Sequence, residues 1–207
     1  MFILQPEQSS QLVTCVAYNS ATDPECNSRL SPEQCRQVIG WSDWLKPEEG
    51  KTVASPNDGN EFDKMRSVVQ YGIPIQEETT WLYDRLLGVV ATVNQNSGWN
   101  FEIAGFFRPL NLLHYQGERE HFYNWHIDIV AGNESARKIS VSVQLSQPND
   151  YDGCDLEINN GDHILTTPRD HGAVVMFPSY MLHRVTPIRK GERWAVVGWV
   201  QGLKSFR

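Results

Sequence analysis

Six histidines stand at positions 114, 121, 126, 163, 171 and 183, and the first question is which of them could share a metal ion. His126 and Asp128 lie at i and i+2 in Trp125-His126-Ile127-Asp128. On a strand that spacing puts both side chains on one face. A third donor must come from elsewhere in the chain. His183, 55 residues after Asp128, sits at a strand start after Phe177-Pro178-Ser179-Tyr180-Met181-Leu182. Two neutral imidazoles and one carboxylate occupy one face of an octahedron and leave three positions open, the arrangement of non-haem Fe(II) oxygenases. An H-x-D pair alone is a weak signal. Arg193, ten residues after His183, strengthens it. The Pro187–Gly191 stretch is predicted to be a tight hairpin that carries Arg193 onto the strand beside that of His183. A planar, permanently charged guanidinium matches a carboxylate that must be held bidentately. An Fe(II) enzyme using 2-oxoglutarate needs such a group for the distal carboxylate of its cosubstrate. The other four histidines are read as ordinary surface or core hydrogen-bonders. Trp125, Tyr180 and Trp199 suit core or cavity wall, with substrate contact as the alternative.

These residues need a rigid frame, and the patterning after Asn100 supplies one. Short β-rich runs follow one another: Phe101–Phe107, Asn111–Tyr115, Ile139–Leu145, Asp155–Ile158, His163–Thr167, Ala173–Phe177, His183–Val185 and Arg193–Val200. Turn residues such as Asn160-Gly161-Asp162 separate them. The expectation is a mainly β fold with flanking helices, its core a double-stranded β-helix or jelly roll. In Lys138–Leu145 the residues Ile139, Val141, Val143 and Leu145 face one way, and Lys138, Ser140, Ser142 and Gln144 the other. That polar side faces either solvent or a cavity inside the roll. Before the roll, Ser31-Pro32-Glu33-Gln34 marks a helix start running to about Trp44. Residues Glu77–Asn94 form a second helix, with Trp81, Leu82, Leu86, Val89, Val90 and Val93 as its buried stripe. Lys46–Asp63 reads as a loop. The chain thus divides into a lead-in with supporting helices, 1–100, and a jelly-roll core, 101–203, expected to form one structural unit.

Composition narrows the functional classes. A chain of 207 residues with 40% hydrophobic and 21% charged residues has enough apolar content for a packed core, unlike a disordered segment. No run approaches the ~18 apolar residues of a membrane span, and MFILQPEQSS lacks the basic start of a secretory signal. The net charge of −7 disfavours a general nucleic-acid binder. It is uneven, because residues 163–207 carry seven Lys or Arg against two acids while the first 162 residues carry −12. Arg184, Arg189 and Lys190 are either solvated loop charges or an attraction for an anionic cosubstrate. Four cysteines, at 15, 26, 35 and 154, include no C-x-x-C pair, so free thiols in a reducing cytoplasm are expected.

From about Phe101 to Gly202 the chain resembles the 2-oxoglutarate/Fe(II)-dependent dioxygenases of the prolyl 4-hydroxylase superfamily, in particular the bacterial and phage branch of PKHD-type hydroxylases. The matching motifs are Tyr115-Gln116-Gly117-Glu118, Tyr123-Asn124-Trp125-His126-Ile127-Asp128, Arg137-Lys138-Ile139-Ser140, Tyr151-Asp152-Gly153-Cys154-Asp155-Leu156, and His183-Arg184-Val185-Thr186-Pro187 through Gly191-Glu192-Arg193 to Gly198-Trp199-Val200. The resemblance implies His126, Asp128 and His183 as iron ligands, Arg193 as the anchor of the distal carboxylate, and Tyr115 as a cosubstrate-pocket residue. It implies Fe(II), 2-oxoglutarate and O2 as cofactor and cosubstrates, with ascorbate as reductant. The implied activity is hydroxylation of an unactivated C–H bond, with a prolyl 4-hydroxylase-like peptidyl substrate or, alternatively, a free amino acid or other small molecule. Substrate choice is expected in the loops Lys46–Asp63 and Glu118–Asn124. Cys154 stands where the family usually has a second glycine, Ala195 where some branches place a serine, and Gln144 where a related branch has a tyrosine. The rivals are a non-catalytic cupin-like metal-binding module and a metal-dependent hydrolase or isomerase, which would need a further general base.

Overall fold

In the computed structural model, which describes residues 16–18, 29–49 and 65–206, the first helix begins where its capping residues stand. Ser31 Oγ accepts from the Gln34 amide at 3.2 Å, and Gln34 Oε1 accepts from the Ser31 amide at 2.9 Å. This reciprocal capping box, with Pro32 at the first position, starts α1 (Pro32–Gly40). The helix is shorter than expected, because a 3-10 turn takes over at Trp41–Asp43. Helix α2 (Glu77–Asn96) buries Leu82, Leu86, Val89, Val90 and Val93, whereas Trp81 is only half-buried. Cys15, Cys26, the first fifteen residues and most of the Lys46–Asp63 loop lie outside the described residues. Among those described, no helix is long and apolar enough to cross a membrane.

The strands are β1 (Val16–Tyr18), β2 (Pro47–Glu49), β3 (Arg66–Ser67), β4 (Val69–Ile73), β5 (Gly105–Phe106), β6 (Leu110–Gln116), β7 (Phe122–His126), β8 (Arg137–Gln144), β9 (Tyr151–Gly153), β10 (Leu156–Asn159), β11 (Ile164–Thr166), β12 (Val174–Pro178), β13 (Leu182–Val185) and β14 (Ile188–Gln201). They form two antiparallel sheets. The larger runs β1-β12-β8-β14-β6-β4-β2, with β5 and β9 also paired to β14, and the smaller runs β11-β10-β13-β7-β3. This is the expected double-sheet jelly roll with flanking helices.

Strand β8 explains how the layers fit. All eight of its residues are buried. Ile139, Val141 and Val143 join Leu82, Leu86, Val89, Val90 and Val93 of α2 in one apolar cluster, with Val196 and Val200 of β14. Its other face, with Ser140 and Ser142, turns to the smaller sheet and lines the cavity between the sheets. Of the two readings of this polar face, the cavity is therefore the one observed.

Two expectations need correction. Phe101–Phe107 is not one strand, because the Asn94 side chain holds the Phe101 backbone at both its N–H and its C=O, each at 2.9 Å. Only Gly105–Phe106 pairs with β14. Nor is Pro187–Gly191 a hairpin. Strand β13 pairs with β10 and β7 in the smaller sheet, whereas β14 runs between β6 and β8 in the larger one. Thr186-Pro187 is a crossover between sheets. The Thr186 amide donates to Asp155 O at 2.9 Å, and the Cys154 amide donates to Pro187 O at 3.2 Å. Gly191, at φ +74°, leaves no room for a side chain, since a Cβ there would strike Asp150 O.

Leu86 is fully buried where α2 meets the larger sheet. Leu86→Ala should cost about 2–5 kcal/mol, read as a lower urea midpoint with the slope unchanged.

Candidate active site

Opposed positions on two neighbouring strands bring the two histidines together. His126 ends β7, His183 is the second residue of β13, and the two are register partners. Asp128 lies beyond the end of β7, not on it, and its amide donates to Ser179 O at 3.0 Å. The carboxylate nevertheless reaches both imidazoles. Asp128 Oδ1 lies 3.6 Å from His126 Nε2, and Oδ2 lies 3.4 Å from His183 Nε2. The three donors fall within 4.8 Å of one another, the one such cluster among the described residues.

Backbone carbonyls settle which nitrogen of each ring carries the proton. His126 Nδ1 donates to Asn124 O at 2.7 Å, and His183 Nδ1 donates to Met181 O at 2.9 Å. A carbonyl only accepts, so Nδ1 is protonated in both rings, and in the neutral ring it is Nε2 that turns a lone pair toward Asp128. Burial first, and then the neighbouring His183, push His126 down to about 4, so its imidazole is neutral near pH 7. Burial works against ionisation of Asp128. Positive charge on His183 or His126, and the hydrogen bonds from Ser140 and Trp199 that persist when both rings are neutral, favour the carboxylate and hold the carboxyl below its usual range. With both rings neutral, three electron-pair donors converge at one point. That donor set fits a first-row divalent cation such as Fe(II).

The supporting shell comes from the larger sheet. Ser140 Oγ donates to Asp128 Oδ2 at 2.6 Å and lies 3.0 Å from Ser179 Oγ. Arg137 donates to Asp128 O at 3.0 Å, pairs with Glu134 at 3.0 Å and stacks on Trp199 at 4.0 Å. The alternation along β8 pointed to Ser140, but the Arg137 and Ser179 contacts are tertiary and have no local signature.

Arg193 and Tyr115 are register partners on β14 and β6, across the cavity from the smaller sheet. The guanidinium is 5% exposed, and Tyr115 is 1% exposed. Arg193 Nε donates to Gln144 Oε1 at 2.9 Å, Nη1 lies 4.0 Å from Cys154 Sγ, and its Cζ is 5.5 Å from the centre of the Tyr115 ring. Gln144 is held in turn by Tyr151 OH at 3.0 Å and Ser146 O at 3.1 Å. No carboxylate pairs with Arg193 among the described residues. Cys154 has φ +55° and is a buried free thiol that desolvation pushes up, so here it packs as a neutral group. His126, Asp128, His183, Arg193 and Tyr115 all line one cavity of about 330 Å³.

The remaining candidates sit elsewhere. His114 pairs with Glu192 at 3.0 Å, His121 accepts from the Gln116 amide, and His163 and His171 bond Asn160 and Gln147. Arg184 is paired with Glu157 and Arg189 with Asp152. Trp199 lines the cavity, whereas Tyr180 is exposed and packs on Phe206.

Comparison with known proteins agrees with this geometry. Residues 110–201 match the family model of the 2OG-Fe(II) oxygenase superfamily. The chain is 38% identical to a PKHD-type hydroxylase of Hyphomonas neptunium over 107 residues, 48% of this chain and 47% of that protein. It is 26% identical to a PKHD-type hydroxylase of Cupriavidus metallidurans over 191 residues, covering 84% of this chain and 75% of that one. The chain thus spans about half the length of the first relative and three quarters of the second. Its fold is similar to a Pseudomonas putida prolyl-4-hydroxylase (TM-score 0.66, 19% identity, 92% and 94% of the two chains). It is similar also to a Trichoplax adhaerens prolyl hydroxylase (TM-score 0.69, 19% identity, 92% and 84%). The fold is thus the jelly roll of these solved structures, and residues 110–201, a little under half of the chain, are similar to the 2OG-Fe(II) oxygenase superfamily. In sequence, the relatives it is similar to are PKHD-type hydroxylases.

Ser140→Ala removes the shortest bond to the carboxylate and leaves its oxygen under-satisfied. Affinity for Fe(II), or for Mn(II) as an O2-inert substitute, should fall about 10–100-fold by anaerobic calorimetry.

Proposed function

We propose that the protein is an Fe(II)- and 2-oxoglutarate-dependent dioxygenase that hydroxylates an unactivated C–H bond, with a prolyl 4-hydroxylase-like peptidyl substrate. One observation carries this reading. A buried guanidinium with no acidic partner among the described residues faces the same cavity as three converged metal donors. A buried charge of that kind calls for an anion. A dianion with a chelating keto-acid end and a distal carboxylate satisfies both ends of the cavity together.

In this reading His126, Asp128 and His183 hold the metal through Nε2, a carboxylate oxygen and Nε2. Arg193 binds the distal carboxylate with its free N–H groups while Gln144 holds Nε. The Tyr115 hydroxyl donates to that same carboxylate and remains protonated, since burial pushes its ionisation well above the usual range. Apolar walls from Leu113, Phe177, Val185 and Val197 keep water from the reacting centre. When bound, Fe(II) supplies oxidative decarboxylation of 2-oxoglutarate and delivery of oxygen to carbon. Overall, substrate R–H, O2 and 2-oxoglutarate give R–OH, succinate and CO2. The peptidyl substrate is supported by likeness to the Trichoplax adhaerens enzyme, whose structure is a complex with a hypoxia inducible factor peptide fragment. We also propose that residues 1–100 and 101–203 form one structural unit, supported by the pairing of β4 with β6 and the shared core of α2 and β8.

The test is succinate release with Fe(II), ascorbate and 2-oxoglutarate, alongside calorimetric binding of 2-oxoglutarate to the Mn(II)-loaded protein. Wild type should bind and turn over, and Asp128→Ala should fall to the metal-only baseline. Arg193→Gln should weaken 2-oxoglutarate about tenfold or more while metal affinity stays within about twofold. Absence of both binding and turnover in wild type would favour the cupin-like alternative.

A further inference from the structure

Five charged side chains line the cavity among the described residues: Arg66, Arg137 and Arg193 against Asp128 and Glu134. Four of them are accounted for. Arg137 pairs with Glu134 at 3.0 Å. In the proposed complex, a divalent ion at Asp128 and a dianion running from that ion to Arg193 cancel. Arg66 is left over.

Its surroundings are unusual for an arginine. Its side chain makes no ion pair or hydrogen bond among the described residues, and its Nε is buried without a partner. What holds it is stacking. β3 pairs with β7 so that Arg66 is opposite Tyr123. Its Cζ lies 4.9 Å from the centre of the Tyr123 ring, which stacks on the His126 imidazole at 3.5 Å and 12°. The guanidinium is thus fixed two stacked planes from a candidate metal ligand, with its fork of donors unused. Ile127 and Val130, 44% and 46% exposed, give the same cavity an apolar border.

We propose that Arg66 receives a carboxylate of the substrate, so that the substrate class is a carboxylate-bearing compound. The apolar part of that compound rests near Ile127 and Val130. This rests on the dioxygenase reading above and adds the charge of the substrate to it. Stacking on Tyr123 orients the fork at no cost in hydrogen bonds, and a carboxylate accepts two N–H groups from it in one plane. The carboxylate could be that of a free amino acid or one borne by a peptide, and the two sources are separable by the probes used.

The experiment uses full-length protein loaded with Mn(II) and saturated with 2-oxoglutarate, titrated calorimetrically with matched pairs. N-acetylproline against N-acetylprolinamide tests a carboxylate on the reacting residue. Blocked Pro-Asp against blocked Pro-Asn dipeptide tests one borne by a peptide neighbour. In wild type, at least one carboxylate member should bind about tenfold more tightly than its amide. Arg66→Gln should bring that ratio to about one with 2-oxoglutarate affinity unchanged, which also shows that the variant is folded. Arg66→Lys should keep part of the ratio. A ratio that survives in Arg66→Gln, or no carboxylate preference in either wild-type pair, overturns the proposal. So does a loss of 2-oxoglutarate affinity in Arg66→Gln, which would make Arg66 a cosubstrate anchor. Those three outcomes leave the dioxygenase reading standing. Failure of wild type to bind 2-oxoglutarate at all removes both.

Discussion

The carboxylate of Asp128 is ionised, 7% exposed and wedged between two imidazoles whose Nδ1 protons go to backbone carbonyls. Putting a charge there is costly, and the fold is arranged around meeting that cost. Ser140 comes from β8, Trp199 from β14, Ser179 from the turn after β12, and Arg137 from the start of β8. Each lies on or next to the larger sheet, while both histidines belong to the smaller one. One side chain therefore bridges the two sheets. Trp199 faces Ser140 across the β8–β14 ladder, so a one-residue slip there would turn both away from the carboxylate.

The same ladder carries the far end of the cavity. Along β14, Arg193, Val197 and Trp199 share the inner face, opposite Gln144, Ser142 and Ser140 or one step from them. A strand with a polar inner face is stable in the middle of a sheet only if its other face is fully covered. Helix α2 provides that cover through Leu86, Val90 and Val93 against Val141, Val143 and Val196. The helices before the roll thus act on chemistry they never touch. They cover one face of β8 and β14 while the other presents polar groups to the cavity, in keeping with sites built on strands being more sharply positioned than sites on loops.

The sequence disclosed residue types and periods better than it disclosed connections. Strands with strict alternation, such as β8, and the stripe of α2 were legible because one apolar face decides them. The convergence of His126, Asp128 and His183 was legible for a different reason, since their chemistry restricts what such a set could do. The path between His183 and Arg193 was misread. Pro187 and Gly191 look like hairpin punctuation, but Pro187 hands the chain from one sheet to the other, and Gly191 is demanded by contact with Asp150. Neither contact is local. Arg66 was invisible for the same reason, because its neighbours Tyr123 and His126 come from 57 and 60 residues away.

The uneven charge of the chain takes on a more specific meaning in three dimensions. The basic excess after residue 162 suggested a diffuse attraction for an anionic cosubstrate. Instead, acids shortly before that boundary meet the arginines after it: Asp155 pairs with Arg169, Glu157 with Arg184, and Asp152 with Arg189. Asp170 is taken by Arg29. These pairs are at least partly exposed and contribute little to stability. Their effect is to reduce the number of unpaired cations around the roll. Arg193 is surrounded by Gln144, Cys154, Tyr115 and Tyr151, all neutral, so it keeps its full charge for a ligand. A surface rich in free arginines would hold a dianion in many places. One that pairs many of them leaves few unpaired guanidinium groups, Arg193 and Arg66 in the cavity among them, and under the proposed reading that favours selective binding of a small dianion by an acidic protein.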